Sequence, residues 1–333
     1  MNVILIYTFK LIIFKMTNFL KAIFLSLVLQ SLCEYTIYDG SKLQSLSYSP
    51  DQNYNASIPV SMENFDQEMI SYYSWFASYG YCEDMDVPLF CCKNYFDFFT
   101  KKWEIVSESS TEKYFVYNYI LWRSDEYKKY IIAFPGTNEI LELLSEATQI
   151  KLVDYAGDSN IKLVNYFKQI ALELREIIFT PETIRDFEDH PGYQIIATGH
   201  SLGAAVGTIV LYDGVTKGYI DTKILEPVLI TFGQPRTGNE GFVVDLNKKI
   251  KTILRVVRDG DIVASLPYSL INNPYRHLGG LILVNKEMNS MTFCPKDIGE
   301  DYPDKICERS KSININYHTY YFNPDTKFSM RCD

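Results

Sequence analysis

The sequence lacks an excess of basic residues and has few histidines, and each shortage narrows what the protein can do. Its 333 residues include 32 Lys and Arg against 41 Asp and Glu, which gives a formal net charge of −9. General nucleic-acid binding requires a clustered excess of Lys and Arg, so the acidic balance argues against it and we expect no nucleic-acid partner. With 47% hydrophobic residues, the composition also excludes a disordered chain or a collagen-like rod.

Internal repeats, low-complexity tracts and Gly/Ser or Pro linkers are also missing from the sequence. One domain of about 270 residues is then the simplest organisation, because single α/β domains often exceed about 200 residues. No pair of cysteines has Cys-x-x-Cys spacing with histidines nearby, which disfavours a structural zinc site. We expect neither a metal nor a cofactor, and we expect the chain to act as a monomer.

Acidic residues do not occur in residues 1–33, which carry three lysines. Within this segment the apolar run Ala22–Leu32 has the length of a signal-peptide core, and small residues precede the polar chain that follows. We interpret residues 1–33 as a signal peptide, with Met16 as an alternative start, followed by a polar lead over 34–64. An uncleaved signal anchor is the alternative, because the whole segment is long enough to span a bilayer.

Cysteine usage agrees with export. Removal of the signal peptide takes away Cys33 and leaves an even number of cysteines. In an oxidising compartment, six cysteines suggest three disulfides, for which 15 connectivities are possible.

The order of predicted elements indicates an α/β fold. Strands of nearly continuous apolar character alternate with helices in the second half of the chain, a pattern typical of a parallel sheet covered on both faces. The predicted elements are a helix at Phe65–Phe76, strands at Trp103–Val106, Lys113–Trp122 and Tyr127–Phe134, a helix at Leu163–Phe179, a strand at Tyr193–Thr198, a helix at Ser201–Tyr212, a strand at Pro227–Phe232, a helix at Gly238–Lys249 and a strand at Ile253–Val257.

A Gly-x-Ser-x-Gly sequence, Gly199 to Gly203, lies where a predicted strand meets a predicted helix. A sharp turn there would expose Ser201 Oγ at the carboxyl end of the sheet and direct the N–H of Leu202 at a developing oxyanion. The pattern therefore predicts a nucleophilic serine. The alternative is that Ser201 only caps the helix by accepting hydrogen bonds from backbone N–H groups.

A serine nucleophile needs a base, and the sequence offers four histidines. We interpret His200 as a packed, hydrogen-bonded residue within the turn, and we expect His190 to lie at the opposite end of the sheet. His277 and His318 both follow the serine, as the order serine, acid, histidine of an α/β-hydrolase requires. The acid is Asp259 or Asp261, which follow a predicted strand, although either could be only a turn residue.

These motifs resemble the class 3 lipase family, which comprises secreted fungal-type triacylglycerol lipases and their feruloyl esterase relatives. The resemblance extends over 65–333 and implies an α/β-hydrolase domain, with a central, mostly parallel sheet, helices on both faces and a helical lid. It rests on six blocks in the family's order: Ala133–Thr137, Thr198–Ala205, Thr231–Asn239, Arg255–Pro267, Tyr275–His277 and Tyr317–His318.

By this resemblance the catalytic residues are Ser201 as nucleophile, Asp261 as acid and His318 as base, while His277 is a recurrent histidine with another role. Thr137 is implied as an oxyanion donor together with the Leu202 N–H. The family commonly carries Arg at the position of Pro135, so the chain departs from the family pattern beside that donor.

The segment 138–150 falls where the family has its lid, and its pattern is amphipathic. Three glutamates cluster on one side of a helical wheel, opposite the apolar residues Ile140, Leu141, Leu143, Leu144 and Ala147. Such a helix can cover an apolar trough in water and turn outward at a lipid surface. An ordinary amphipathic surface helix would have the same pattern.

The resemblance also implies disulfide pairs. Cys82 with Cys332 resembles the family's bridge between the first helix and the C-terminus, and Cys294 with Cys307 would close a short loop. Cys91 and Cys92 are then left, and a bond between neighbours is strained.

Taken together, the sequence predicts a secreted serine carboxylic ester hydrolase that cleaves acylglycerols through an acyl-serine intermediate. Its partner would be a lipid or other ester substrate at a lipid–water interface. The acidic face of the expected lid favours neutral esters over anionic membranes. Phospholipase A1 and feruloyl-type esterase activities are alternatives, as is a catalytically silent binding protein on a lipase scaffold.

Overall fold

The computed structural model describes residues 73–74, 76–77, 103–111, 117–137, 150–268, 274–294 and 314–321. The chain divides into two compact units, and all of these ranges belong to the larger one, Pro50–Cys332. Within the described ranges no helix combines the length and the apolar character needed to cross a membrane. Of the helix predicted over Phe65–Phe76, the described residues Tyr73, Ser74 and Phe76 are helical, and the rest lies outside the described ranges.

A central sheet organises the described residues. Eight strands pair in the order β1–β2–β3–β6–β7–β8–β9–β10, and the five from β3 to β9 run parallel, while β1, β2 and β10 pair antiparallel at the two sides. These strands are β1 Glu104–Thr111, β2 Tyr117–Ser124, β3 Lys129–Phe134, β6 Gln194–His200, β7 Glu226–Phe232, β8 Thr252–Arg258, β9 Gly280–Val284 and β10 Met291–Cys294. The predicted mostly parallel sheet is therefore confirmed.

Helices and a small hairpin complete the architecture. The hairpin is formed by β4 Leu152–Tyr155 and β5 Asp158–Val164. The helices are α1 Asn165–Ile178, α2 Pro181–Asp189, α3 Leu202–Lys217, α4 Glu240–Lys249 and the single turn α5 Asn316–Thr319.

The core lies on both faces of the sheet, because successive side chains of a strand point to opposite faces. In β6, Ile195 and Ala197 join the apolar cluster under α1, α3 and α4, whereas Ile196 joins the cluster on the other face. That second cluster includes Phe76 and Tyr321. Both faces of the parallel strands are thus covered, which explains why their sequences are apolar without interruption.

Several elements differ from the sequence prediction. Helix α1 begins at Asn165 rather than Leu163, because Leu163 and Val164 end the unpredicted strand β5. Helix α3 continues past Tyr212 to Lys217 and ends at Gly218, whose φ of 78° suits the left-handed end of a helix. Helix α2 and the antiparallel pair β9–β10 were not predicted either, although a proline stands at the first position of α2.

Parallel pairing determines where the functional groups meet. The pairing β3–β6–β7–β8 brings the carboxyl ends of four strands, at Phe134, His200, Phe232 and Arg258, to one edge of the sheet. An isolated bridge between Asp261 and Asn314 brings the C-terminal segment to the same edge. This edge carries the candidate site.

Candidate active site

Ser201 forms a sharp turn between β6 and α3. Its backbone has φ 58° and ψ −122°, a region that residues with a side chain rarely occupy. A Cβ on Gly203 would overlap the carbonyl groups of Phe134 and Pro135, and one on Gly199 would lie 2.6 Å from the Gly203 carbonyl carbon. The two glycines are therefore required by the close packing of the turn against the end of β3.

The side chain of Ser201 does not cap helix α3. It makes no capping hydrogen bond, and its buried Oγ has no hydrogen-bond partner within the described ranges. The helix-cap alternative is therefore wrong, and the strained turn presents a free hydroxyl, as the Gly-x-Ser-x-Gly pattern predicted.

Asp261 and His318 form the partner pair at the same edge of the sheet. The Nδ1–H of His318 donates to Asp261 Oδ2 at 2.9 Å, with Oδ1 at 3.1 Å. Since an ionised carboxylate can only accept, the proton lies on Nδ1, and Nε2 keeps the lone pair of a base. Among the described residues, this Nε2 has no hydrogen-bond partner either.

The carboxylate of Asp261 is held from several directions. The N–H groups of Val263 and Ala264 donate to Oδ1 at 2.9 and 3.3 Å, and the hydroxyl of Tyr321 donates to Oδ2 at 2.5 Å. Asp259 belongs to the preceding turn, where its N–H donates to the Val284 carbonyl. The sequence left Asp259 and Asp261 as candidate acids. The structure pairs Asp261 with His318.

The remaining histidines are engaged elsewhere. His200 Nε2–H donates to the carbonyl oxygen of His318 at 2.8 Å, and the two rings stack with centroids 4.5 Å apart. Burial, and then the neighbouring His318, hold the pKa of His200 well below its ordinary value. His277 Nδ1 accepts from Arg255 at 3.1 Å, whereas His190 contacts Tyr130 at the opposite edge of the sheet.

The structure thus brings Ser201 and the Asp261–His318 pair to one place, since His318 stacks on the residue directly before the serine. Gly233, at the end of β7, confines the imidazole from another side. A Cβ on Gly233 would lie 2.9 Å from His318 Nδ1. The arrangement can transfer a proton from a serine hydroxyl to an imidazole that a carboxylate orients.

Comparison with known proteins agrees with this geometry. Residues 131–270 match the model of the family described as lipase (class 3). The chain is therefore similar to the class 3 lipase family.

The curated relatives come from plants, a fungus and a nematode. A phospholipase A1 of Arabidopsis thaliana, named as chloroplastic, is 31% identical over 32% of this chain and 21% of its own length. A lipase of Rhizomucor miehei is 30% identical over 45% of this chain and 40% of its own length. The matched segments thus span less than half of these curated relatives.

A solved triacylglycerol lipase, whose catalytic centre is described as a serine protease triad, shares its fold with this chain. The TM-score is 0.67 at 23% identity, with 81% of this chain and 98% of the other covered. The similarity shows that the α/β-hydrolase fold extends well beyond the segment matched by the family model.

Two further groups, the N–H of Leu202 and Thr137, are those predicted to bind an oxyanion. Leu202 opens α3, so its N–H belongs to the first turn, where no intrahelical acceptor exists. Thr137 ends the Pro135–Thr137 loop, whose first carbonyl accepts a hydrogen bond from Tyr117 and lies against Gly203. The loop is thus fixed beside the serine turn, and the donor role of both residues stays a prediction.

Sequence reasoning missed Tyr321, which binds the carboxylate of Asp261. Helical spacing gave no signal for it, because α5 ends at Thr319 and Tyr320 is extended.

Several predicted features fall outside the described residues. They are the lid residues Ile140, Leu141, Leu143 and Leu144 and the cysteines Cys82, Cys91, Cys92, Cys307 and Cys332. Cys294, in contrast, is buried at the end of β10 and is disulfide-bonded. Its pairing with Cys307 stays a prediction.

Proposed function

We propose that this protein is a serine carboxylic ester hydrolase that cleaves lipid esters through an acyl intermediate on Ser201. One observation carries the proposal: the strained turn presents an unpartnered serine hydroxyl next to a histidine whose Nδ1–H is held by a buried carboxylate. The similarity to class 3 lipases supports this chemistry, since the relatives are named as lipases and phospholipases A1.

In the proposed reaction, His318 Nε2 removes the proton from Ser201 Oγ as this oxygen attacks the ester carbonyl carbon. Asp261 stabilises the imidazolium that results, and the N–H of Leu202 with Thr137 binds the tetrahedral oxyanion. The imidazolium then returns its proton to the leaving alcohol, and the acyl group stays on Ser201. Water, deprotonated by His318 in the same way, releases the fatty acid.

Acylglycerols are the substrates that we propose first. The amphipathic pattern of residues 138–150 supports a lid that opens at a lipid surface, and relatives include triacylglycerol lipases. Hydrolysis of a phospholipid ester is the second candidate, because other relatives of similar identity are phospholipases A1. A feruloyl-type ester and a silent binding scaffold remain as outcomes of the test.

We further propose that residues 1–33 are removed and that the remaining chain, a monomer with a formal charge of −12 from 29 basic and 41 acidic residues, is secreted. The support is the uneven charge of the sequence. N-terminal sequencing of exported protein should find a start close to Glu34, whereas a start at Met1 or Met16 would contradict cleavage.

Covalent labelling tests the nucleophile. Wild-type protein should react with a fluorophosphonate probe and lose the label in Ser201→Ala, whereas Ser290→Ala, an exposed serine in the β9–β10 turn, should label normally. Absence of labelling in wild-type protein would favour the silent scaffold. Labelling that survives in Ser201→Ala would place the nucleophile elsewhere.

Hydrolysis rates on dispersed triacylglycerol, phosphatidylcholine, a feruloyl ester and a soluble short-chain ester then rank the substrates. A rate increase above the aggregation point of the lipid would support the lid. The highest kcat/KM on phosphatidylcholine would instead assign the protein as a phospholipase.

A further inference from the structure

Arg258 is a buried cation close to the proposed site. It ends β8, three residues before Asp261, and only 6% of its surface is exposed. Burial lowers the pKa of its guanidinium. Four nearby groups raise this pKa, namely Tyr317, Tyr321, Glu287 and Asp261. A charge held in such a place is costly unless its hydrogen bonds are met.

Carbonyl oxygens from two segments meet those hydrogen bonds. Nε of Arg258 donates to the carbonyl of Lys286 at 3.1 Å, and Nη2 donates to the same oxygen. Nη1 donates to the carbonyl of Tyr320 at 2.7 Å. The planar guanidinium also lies over the ring of Tyr317, with its carbon 4.5 Å from the ring centroid.

These contacts involve residues on both sides of His318 in the sequence. Tyr317 lies within α5 and precedes the histidine, and Tyr320 lies just after α5, so one guanidinium contacts the chain on both sides of His318. Helix α5 has four residues, and no side chain caps its start. A single turn is not stable by itself, because nucleating a helix costs more than one turn of hydrogen bonds returns.

We propose that Arg258 is a positioning residue for the base, a role that rests on the proposed function: it fixes α5 so that His318 Nε2 faces Ser201. Asp261 orients the imidazole of His318 and His200 binds the His318 carbonyl, whereas Arg258 holds the Tyr317 ring on one side of the histidine and the Tyr320 carbonyl on the other. The strand that carries Asp261 thus also holds the turn that carries its partner, and the acid and the base move as one body.

Lysine cannot replace arginine in this role. An ammonium is a point charge with no plane to stack on Tyr317, and its geometry does not match two carbonyls that lie apart. Arg258→Lys therefore keeps the charge and loses the fork, while Arg258→Met loses both at a similar side-chain volume.

The experiment compares these variants on a soluble short-chain ester. We expect Arg258→Met to lower kcat about 10- to 100-fold with KM changed less than about twofold, because misplacing a reacting group by about an ångström costs this much. The second-order rate of fluorophosphonate labelling should fall by a similar factor. Arg258→Lys should retain less than half of the wild-type kcat.

Arg123→Met is the matched control. Arg123 is another partly buried arginine, but it pairs with Asp186 at the opposite edge of the sheet. This variant should lose stability in a denaturant titration and keep kcat within about twofold. An equal loss of kcat in Arg123→Met would show that general destabilisation, and not positioning, accounts for the effect.

Other outcomes separate this inference from the proposed function. A folded Arg258→Met with wild-type kcat and labelling rate would overturn the positioning role and leave the hydrolase intact. If Arg258→Met fails to fold, Tyr317→Leu, which removes the stacked ring and keeps the arginine, should lower kcat at unchanged KM, and wild-type kcat in this variant would overturn the inference. Wild-type protein that neither hydrolyses esters nor labels would contradict the proposed function itself.

Discussion

At the scale of single residues, the site depends on positions where an ordinary side chain cannot fit. The serine turn approaches the end of β3 so closely that only hydrogen can stand at the α-carbon of Gly203. In the sequence, Gly203 is the last residue of the Gly-x-Ser-x-Gly motif. Its physical basis is the contact with the Phe134 and Pro135 carbonyl oxygens, neither of which can move without disturbing β3.

We expect Gly203→Ala to destabilise the protein by more than about 4 kcal/mol or to prevent folding, because the new methyl group would overlap two backbone carbonyls. Gly218→Ala is the control. This residue also has a positive φ, but no atom lies within 4 Å of its Cβ position, so the cost is only the left-handed strain of about 1 kcal/mol. Denaturant titration measures both. Equal losses in the two variants would contradict the role of the close contact.

At the scale of elements, the parallel strands could be predicted and the hairpin before α1 could not. Uninterrupted apolar runs such as Pro227–Phe232 are typical of strands buried on both faces, and the structure confirms them. The β4–β5 hairpin turns at Ala156 and Gly157, which have φ values of 50° and 84°. Alanine is unusual at a positive φ, so the sequence carries no standard turn signal there.

The three candidate catalytic residues could also be predicted from local sequence patterns. Ser201, Asp261 and His318 each stand in a short motif, and the chain order of an α/β-hydrolase connects them. Tyr321 binds the Asp261 carboxylate and Arg258 contacts Tyr317 and Tyr320 beside His318, and such contacts depend on how distant segments pack. No local pattern encodes that packing, which is why sequence reasoning did not find them.

The hairpin is joined to α4 through one side chain, Asn239. Its Oδ1 accepts from the N–H of Phe242 at 3.0 Å, which caps the helix, and from the N–H of Lys162 at 2.9 Å, while Nδ2 donates to the Asn160 carbonyl at 2.8 Å. A single residue therefore caps the start of helix α4 and holds strand β5.

We expect Asn239→Ala to cost about 2–3 kcal/mol in the free energy of unfolding, because it removes a helix cap and two hydrogen bonds to β5. Thr180→Ala, which removes only the cap of α2, should cost about 1 kcal/mol. Urea titration of both variants is the measurement. If the two losses are the same, the contacts of Asn239 with the hairpin contribute nothing.

At the scale of the whole molecule, the pH dependence of the free energy of unfolding should reflect the burial of His200. Burial keeps this imidazole neutral in the folded protein, whereas the unfolded chain protonates it below about pH 6.5. Where the unfolded state binds the additional proton, the free energy of unfolding rises as the pH rises. The contribution of His200 is therefore full above about pH 6.5 and is lost progressively as the pH decreases from there.

His200→Gln keeps an N–H donor for the carbonyl of His318 and removes the titration. Between pH 6.5 and 5, the free energy of unfolding of the wild type should decrease by up to about 1.4 kcal/mol per pH unit more than that of the variant. Unfolding measured at pH 7, 6 and 5 decides this. Parallel pH dependences would show that His200 is not held neutral.

The backbone of Ser201 has a consequence for the stability of the protein. At φ 58° and ψ −122° a glycine would be relaxed, whereas a serine is under strain. The protein would thus gain stability by giving up the hydroxyl. A nucleophile must be held exposed to attack an ester, and a purely structural turn has no need of strain at a serine whose hydroxyl bonds nothing within the described ranges.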